Sequence, residues 1–139
     1  MRFGPSMAVL AVVLSFSGAP PALATVCLGK SMTLDEMVDA IKATPGCEPA
    51  MKMFEDCELG SSGDIRLGAA VEKKCERDFL DHLGAAQKQA YQRKMRACDR
   101  KYQNESGTMY RSFAAFCRAE VAQRYSRQTL KAAGPSKAR

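Results

Sequence analysis

Six cysteines, Cys27, Cys47, Cys57, Cys75, Cys98 and Cys117, are the side chains of this chain most able to do chemistry. Their even number in a small chain points to three disulfides, for which fifteen connectivities exist, and none of their spacings is C-x-x-C. Staples are therefore expected, since a reactive thiolate would require an unpaired cysteine in an accessible, electropositive setting. His82 is the sole histidine, so any Ser-His-Asp or Cys-His arrangement must be built on it. It sits on an expected helix with no nucleophile signature beside it, which makes it a helix-face residue. Asp35 with Glu36, and Glu55 with Asp56, are sequence neighbours that diverge on a helix instead of sharing an acid-base cleft. Met51-Lys52-Met53 offers two soft thioethers of the kind that suit Cu(I). On a helix those two side chains point roughly 200° apart, so core filling is the expected role. No catalytic residue, metal or cofactor is assigned, and the chain is read as a non-enzyme.

The cysteines follow a segment with the three parts of a cleavable leader: Arg2, an apolar run from Met7 to Phe16, and Ala22-Leu23-Ala24. Residues 1–24 are read as a signal peptide, and Thr25 to Arg139 as the mature protein in an oxidising compartment. The apolar run falls short of the ~20 residues that a membrane-spanning helix needs, and no later stretch approaches that length. Val26 stands where a bacterial lipobox requires Gly, Ala or Ser, which argues against lipidation of Cys27.

Helices must position these groups. Thr33 and Glu36 form a capping box, Leu34, Met37, Val38 and Ile41 follow at helical spacing, and Pro45-Gly46 ends a first helix over about 34–44. Pro49 suits the first turn of a second, short helix that carries Met51, Phe54 and Cys57 as far as Gly60. After the break at Gly60–Gly63, with Asp64 as its cap, a longer helix is expected. Its apolar stripe, Leu67, Val71, Cys75, Phe79 and Leu83, continues to Gly84. Tyr91, Met95, Cys98 and Tyr102 mark a fourth helix, residues 103–107 a loop, and Tyr110, Phe113, Cys117, Val121 and Tyr125 a fifth that reaches about Leu130. The expected fold is all-α, a small disulfide-stapled bundle of four to five helices in one domain over 25–133, with a disordered tail over 134–139.

Helix geometry constrains the pairing. If 49–58 is helical, Cys57 stands roughly 12 to 15 Å from Cys47, from a rise of ~1.5 Å per residue, so these two do not join. Cys98 and Cys117 flank the 103–107 loop, where antiparallel helices meet, and are the favoured pair. For Cys27, Cys47, Cys57 and Cys75 the connectivity stays open, with Cys27 to Cys47 as one choice.

Charge is uneven. Residues 25–70 carry four Lys/Arg against eight Asp/Glu, and residues 71–139 sixteen against seven. The basic half, including Lys88, Arg93, Lys94, Arg96, Arg100 and Lys101, is a candidate surface for phosphate or another anionic polymer, set against simple solvation of helix faces. Export argues against nucleic acid as the partner.

The stretch from Gln87 to Arg124 resembles the LprI-type lysozyme-inhibitor-like family. The residues that carry the resemblance are Gln87, eleven positions before Cys98, then Gly107-Thr108-Met109, Cys117 and Arg124. The family's Trp is missing here, with Tyr91 nearby, and Lys94 holds the basic position before Cys98. The resemblance implies an exported, periplasmic or secreted helical protein that binds a lysozyme or another envelope protein and acts by occlusion. In that setting the acidic Asp35, Glu36, Asp39, Glu55, Asp56 and Glu58 would steer a cationic enzyme. The alternative is a non-catalytic carrier or envelope-binding module for a lipid or anionic ligand. An internal apolar pocket would favour the carrier, and a filled core with an acidic surface groove the inhibitor.

Overall fold

The computed structural model describes Cys27 and residues 32–134. The leader expected over 1–24, and the expected tail beyond Gly134, lie outside the described residues. The chain forms α1 (Leu34–Ala43), α2 (Cys47–Asp56), α3 (Asp64–Glu76), a short 3₁₀ turn (Leu80–His82), α4 (Ala85–Lys101) and α5 (Thr108–Ala132). The described residues contain no strand, and the architecture is the small disulfide-stapled all-α bundle expected.

Local chemistry sets the first boundaries. The Thr33 N–H donates to the Glu36 carboxylate at 2.7 Å, and the Glu36 N–H donates to the Thr33 hydroxyl oxygen at 3.3 Å, closing the capping box. Those bonds, from the Thr33 backbone first and its hydroxyl second, hold the Glu36 carboxyl below its usual range. Pro45 pushes Thr44 into extended backbone and ends α1, and Gly46, at φ 88°, turns the chain into α2.

Two expectations are corrected. The third helix does not run to Gly84 but stops at Glu76, and Phe79 reaches the interior from a turn. A four-residue apolar period records which side chains are buried, not that the backbone between them is unbroken. Leaving the helix lets Phe79 pack at 5.1 Å against Tyr91 and 5.3 Å against Tyr125. Gly84 consequently opens α4, and its N–H donates to the Gln87 side-chain oxygen at 3.0 Å. Asp64, expected to cap the helix after it, is buried and faces backwards. It accepts from the N–H groups of Leu59 and Ser61, and from the Ser112 hydroxyl of α5 at 2.7 Å. A buried carboxylate is stable there only because donors surround it.

The interior has two parts. Ile41, Phe54, Leu67, Val71 and Cys75 pack α1, α2 and α3 against Ala115, Ala119 and Ala122 of α5. Phe79, Tyr91, Met95, Cys98 and Val121 fill the space between the 3₁₀ region, α4 and α5. Helix α5 belongs to both and is the spine of the bundle. Met51 is buried in the first core with Met53 packed at its edge, and His82 is exposed on the 3₁₀ turn.

The disulfides are Cys27–Cys57, Cys47–Cys75 and Cys98–Cys117, with Cα separations of 5.2, 4.5 and 5.6 Å. The favoured Cys98–Cys117 pair is present, and Cys47 and Cys57 are not joined to each other. The Cys27 to Cys47 option is not realised. Because α2 and α3 run antiparallel, Cys47 at the start of α2 meets Cys75 at the end of α3, which leaves Cys57 for Cys27. Among the described residues no helix is long and apolar enough to cross a membrane. Three disulfides suit an oxidising compartment such as the periplasm or the extracellular space.

Candidate functional site

Helices α4 and α5 run antiparallel from the 102–107 loop and are clamped by Cys98–Cys117. Residues 94, 97 and 101 recur at helical spacing along one edge of α4, and 121, 124, 125 and 128 along the facing edge of α5. Between these edges lies a groove of about 490 Å³ bordered by Lys94, Lys101, Arg124, Tyr125 and Gln128, with the disulfide and Val121 also in its lining. A second depression of about 430 Å³, lined by His82, Leu83, Gln87, Ala90, Thr129 and Ala132, continues the first, and Tyr125 and Gln128 border both.

No carboxylate lines either depression. Lys94, Lys101 and Arg124 are exposed and take part in no ion pair among the described residues. The Lys94 ammonium stands 5.2 Å from the centre of the Tyr125 ring, and that of Lys101 5.1 Å from the Tyr102 ring. Such cation–π contacts orient the long side chains without cancelling their charge. The Tyr125 ring is anchored in turn at 5.0 Å from Tyr91. Tyr91 is fully buried and donates to a Glu76 carboxylate oxygen at 2.9 Å. Burial first, and that bond second, push its phenol far above the ordinary range. The groove is thus a row of free cations on a rigid aromatic footing.

Of the six basic residues expected to meet an anion, Lys94 and Lys101 border this groove. Arg93, Arg96 and Arg100 are exposed on the adjoining face of α4, and Lys88 is exposed without lining either depression. Reading α4 alone missed the facing wall. Arg124, Tyr125 and Gln128 recur at one-turn spacing on α5, but a helix pattern does not say which neighbour a face will meet.

The acidic set is not gathered into a groove. Asp35 pairs with Arg66 of α3 at 2.5 Å, Asp39 with Lys42 at 3.1 Å, and Asp56 with Lys52. Glu36 is occupied in its capping box, while Glu55 and Glu58 are exposed. None of the six borders the groove or the depression described next. Between α3, α4 and α5 lies a depression of about 430 Å³, lined by Ile65, Ala69, Ala114 and four charged residues, Glu72, Asp99, Arg111 and Arg118. There Arg118 donates to both Glu72 oxygens at 2.9 and 3.0 Å and to Asp99 at 2.8 Å. This network ties three helices together, with one guanidinium shared between two carboxylates. Arg127 similarly grips Glu48 of α2, joined by Gln123 at 3.1 Å, and holds the Glu48 carboxyl below its usual range.

Among the described residues no cluster of His, Cys, Asp and Glu is placed to hold a metal ion. The groove offers ammonium and guanidinium charges, amide donors and an aromatic ring, a set suited to holding an anion. No protein-family model, curated protein or solved structure matches this chain.

Proposed function

We propose that this chain is an exported, non-catalytic binding protein that holds an anionic component of the cell envelope in the groove between α4 and α5. The observation that carries this reading is the convergence of Lys94, Lys101 and Arg124 on one groove with no carboxylate in its lining and no ion pair of their own. Charges left unpaired beside a shaped surface attract a ligand of the opposite sign and concentrate it there. Both depressions are open to solvent, so the ligand lies on the surface and is not enclosed as in an internal carrier. Equilibrium binding of the oxidised protein to dextran sulfate, with neutral dextran as control, tests the reading. Binding that weakens with salt and is lost in Lys94→Glu/Arg124→Glu supports it, whereas equal affinity for the neutral polymer sinks it.

Occlusion of a cationic lysozyme has narrower support, because Asp35, Asp39 and Asp56 are already engaged with Arg66, Lys42 and Lys52. Glu55 and Glu58, which form no ion pair among the described residues, and Glu36, bonded only to the neutral Thr33, keep their charge for steering. Dose-dependent inhibition of c-type lysozyme by the oxidised protein, abolished by reduction and alkylation, would restore that reading over the groove.

A further inference from the structure

We infer that the ligand of the α4–α5 groove is an extended anionic glycan that lies along both depressions, with its charged groups over Lys94, Lys101 and Arg124 and its sugar hydroxyls over Gln128 and Thr129. This deepens the anion-binding reading above and rests on it.

Three observations lead there. First, the cations are spread out. Lys94 and Lys101 are seven residues apart on α4, about 10 Å along the axis at ~1.5 Å per residue, with Arg124 on the facing wall. A compact anion satisfies one such position, whereas a chain with repeated charges reaches all three. Second, the groove does not stop where the cations stop. It continues past Tyr125 into a stretch whose polar groups are uncharged: the Gln87, Gln128 and Thr129 side chains beside His82. The Gln87 oxygen is taken by the Gly84 N–H, which leaves its amide N–H₂ to donate outward. Amide and hydroxyl groups of this kind exchange hydrogen bonds with sugar hydroxyls, for which a simple polyanion has no use. From Gln87 to Lys101 the floor is about 20 Å long by the same rise, enough for several sugar residues. Third, both depressions are open to solvent along their length. An acyl chain laid there would stay wet, which disfavours a lipid, while a hydrated polymer loses little.

Oligogalacturonates of increasing length are the probe, titrated into the oxidised full domain by calorimetry, beside dextran sulfate, inorganic polyphosphate and anionic phospholipid vesicles. The expected result is at least a tenfold gain in affinity from the monomer to the longer oligomers, because each further contact is made within one molecule. Gln128→Ala and Thr129→Ala should weaken the oligomer several-fold and leave the monomer unchanged, and since Gln128 is exposed that variant keeps its fold. A phosphate-substituted glycan that gains with length in the same way identifies phosphate as the charge source within the same class. Affinity independent of length, polyphosphate bound as tightly as the glycan and insensitive to Gln128→Ala, or preference for vesicles would each overturn the inference while leaving anion binding intact. Failure to bind any of the anions, dextran sulfate included, would remove both.

Discussion

Gly68 of α3 lies so close to Ala115 of α5 that a Cβ at position 68 would stand 3.1 Å from the Ala115 carbonyl oxygen and 3.2 Å from its Cβ. Helix α3 packs chiefly on α5, and this glycine sets how near the two backbones come. Replacing it with a branched side chain forces them apart. Gly68→Val is expected to cost about 1 to 3 kcal/mol, the usual range for overpacking. Gly68→Ala should change stability by under about 1 kcal/mol, since its helix-propensity gain of about 1 kcal/mol opposes the crowding. Urea denaturation of both variants checks this, and a Val variant as stable as the parent would contradict the close crossing.

Arg118 draws α3 and α4 onto α5 by bonding Glu72 through two nitrogens and Asp99 through the third. The Glu72 side chain is only 13% exposed, so it depends on that partner. Arg118→Met should lower stability by about 2 kcal/mol, the range for a lost hydrogen bond to a charged group. Arg118→Lys should recover only part, as an ammonium cannot reproduce the two-pronged grip. Adding Glu72→Leu to the Met variant should restore stability by removing the stranded carboxylate. Thermal unfolding of the parent, these three variants and Glu72→Leu alone decides the matter, and additive losses in the double variant would show that the two residues do not act together.

Tyr91 should remain protonated at pH values where an unperturbed tyrosine, with its ordinary pKa of ~10, ionises. The sign for stability follows from the raised folded-state value. Above the unfolded pKa the unfolded chain gives up this proton and the folded chain keeps it, so the folded state loses stability as pH rises past ~10. Alkaline ultraviolet difference spectra of Tyr91→Phe should match the parent in amplitude below the pH of unfolding. Its stability should decline less steeply with alkali. An amplitude lower by one tyrosine would mean that Tyr91 titrates normally.

The disulfide at the floor of the groove spans 19 residues. Cys98→Ala/Cys117→Ala should therefore lose about 3 kcal/mol by chain entropy. Anion affinity should fall too, because α4 and α5 are no longer clamped beneath Lys94 and Arg124. Guanidinium denaturation paired with dextran sulfate binding measures both effects. Intact affinity in a destabilised but folded variant would show that the clamp serves stability alone.

Helix content, most helix boundaries and the Cys98–Cys117 pair were legible in the residues themselves. The Thr33–Glu36 capping box, Pro45-Gly46 and the 103–107 loop act through neighbours in sequence, and local chemistry suffices to read them. The break after Glu76 was not legible, because no glycine or proline marks it and its cause is distant: Phe79 leaves the helix to pack with Tyr91 and Tyr125. Asp64 escaped for the same reason, its partner Ser112 lying 48 residues away.

By itself, the sequence determined an all-helical, disulfide-stapled chain with a basic second half, because composition, caps and spacing are properties of short segments. Only the tertiary structure decided which charges are free. Asp35, Asp39 and Asp56 are taken up by cations, Arg118 and Arg127 by carboxylates of α2, α3 and α4, and Lys94, Lys101 and Arg124 are left together on one groove. A side chain's charge is written in its residue type, but whether that charge is neutralised depends on the faces that packing brings opposite it.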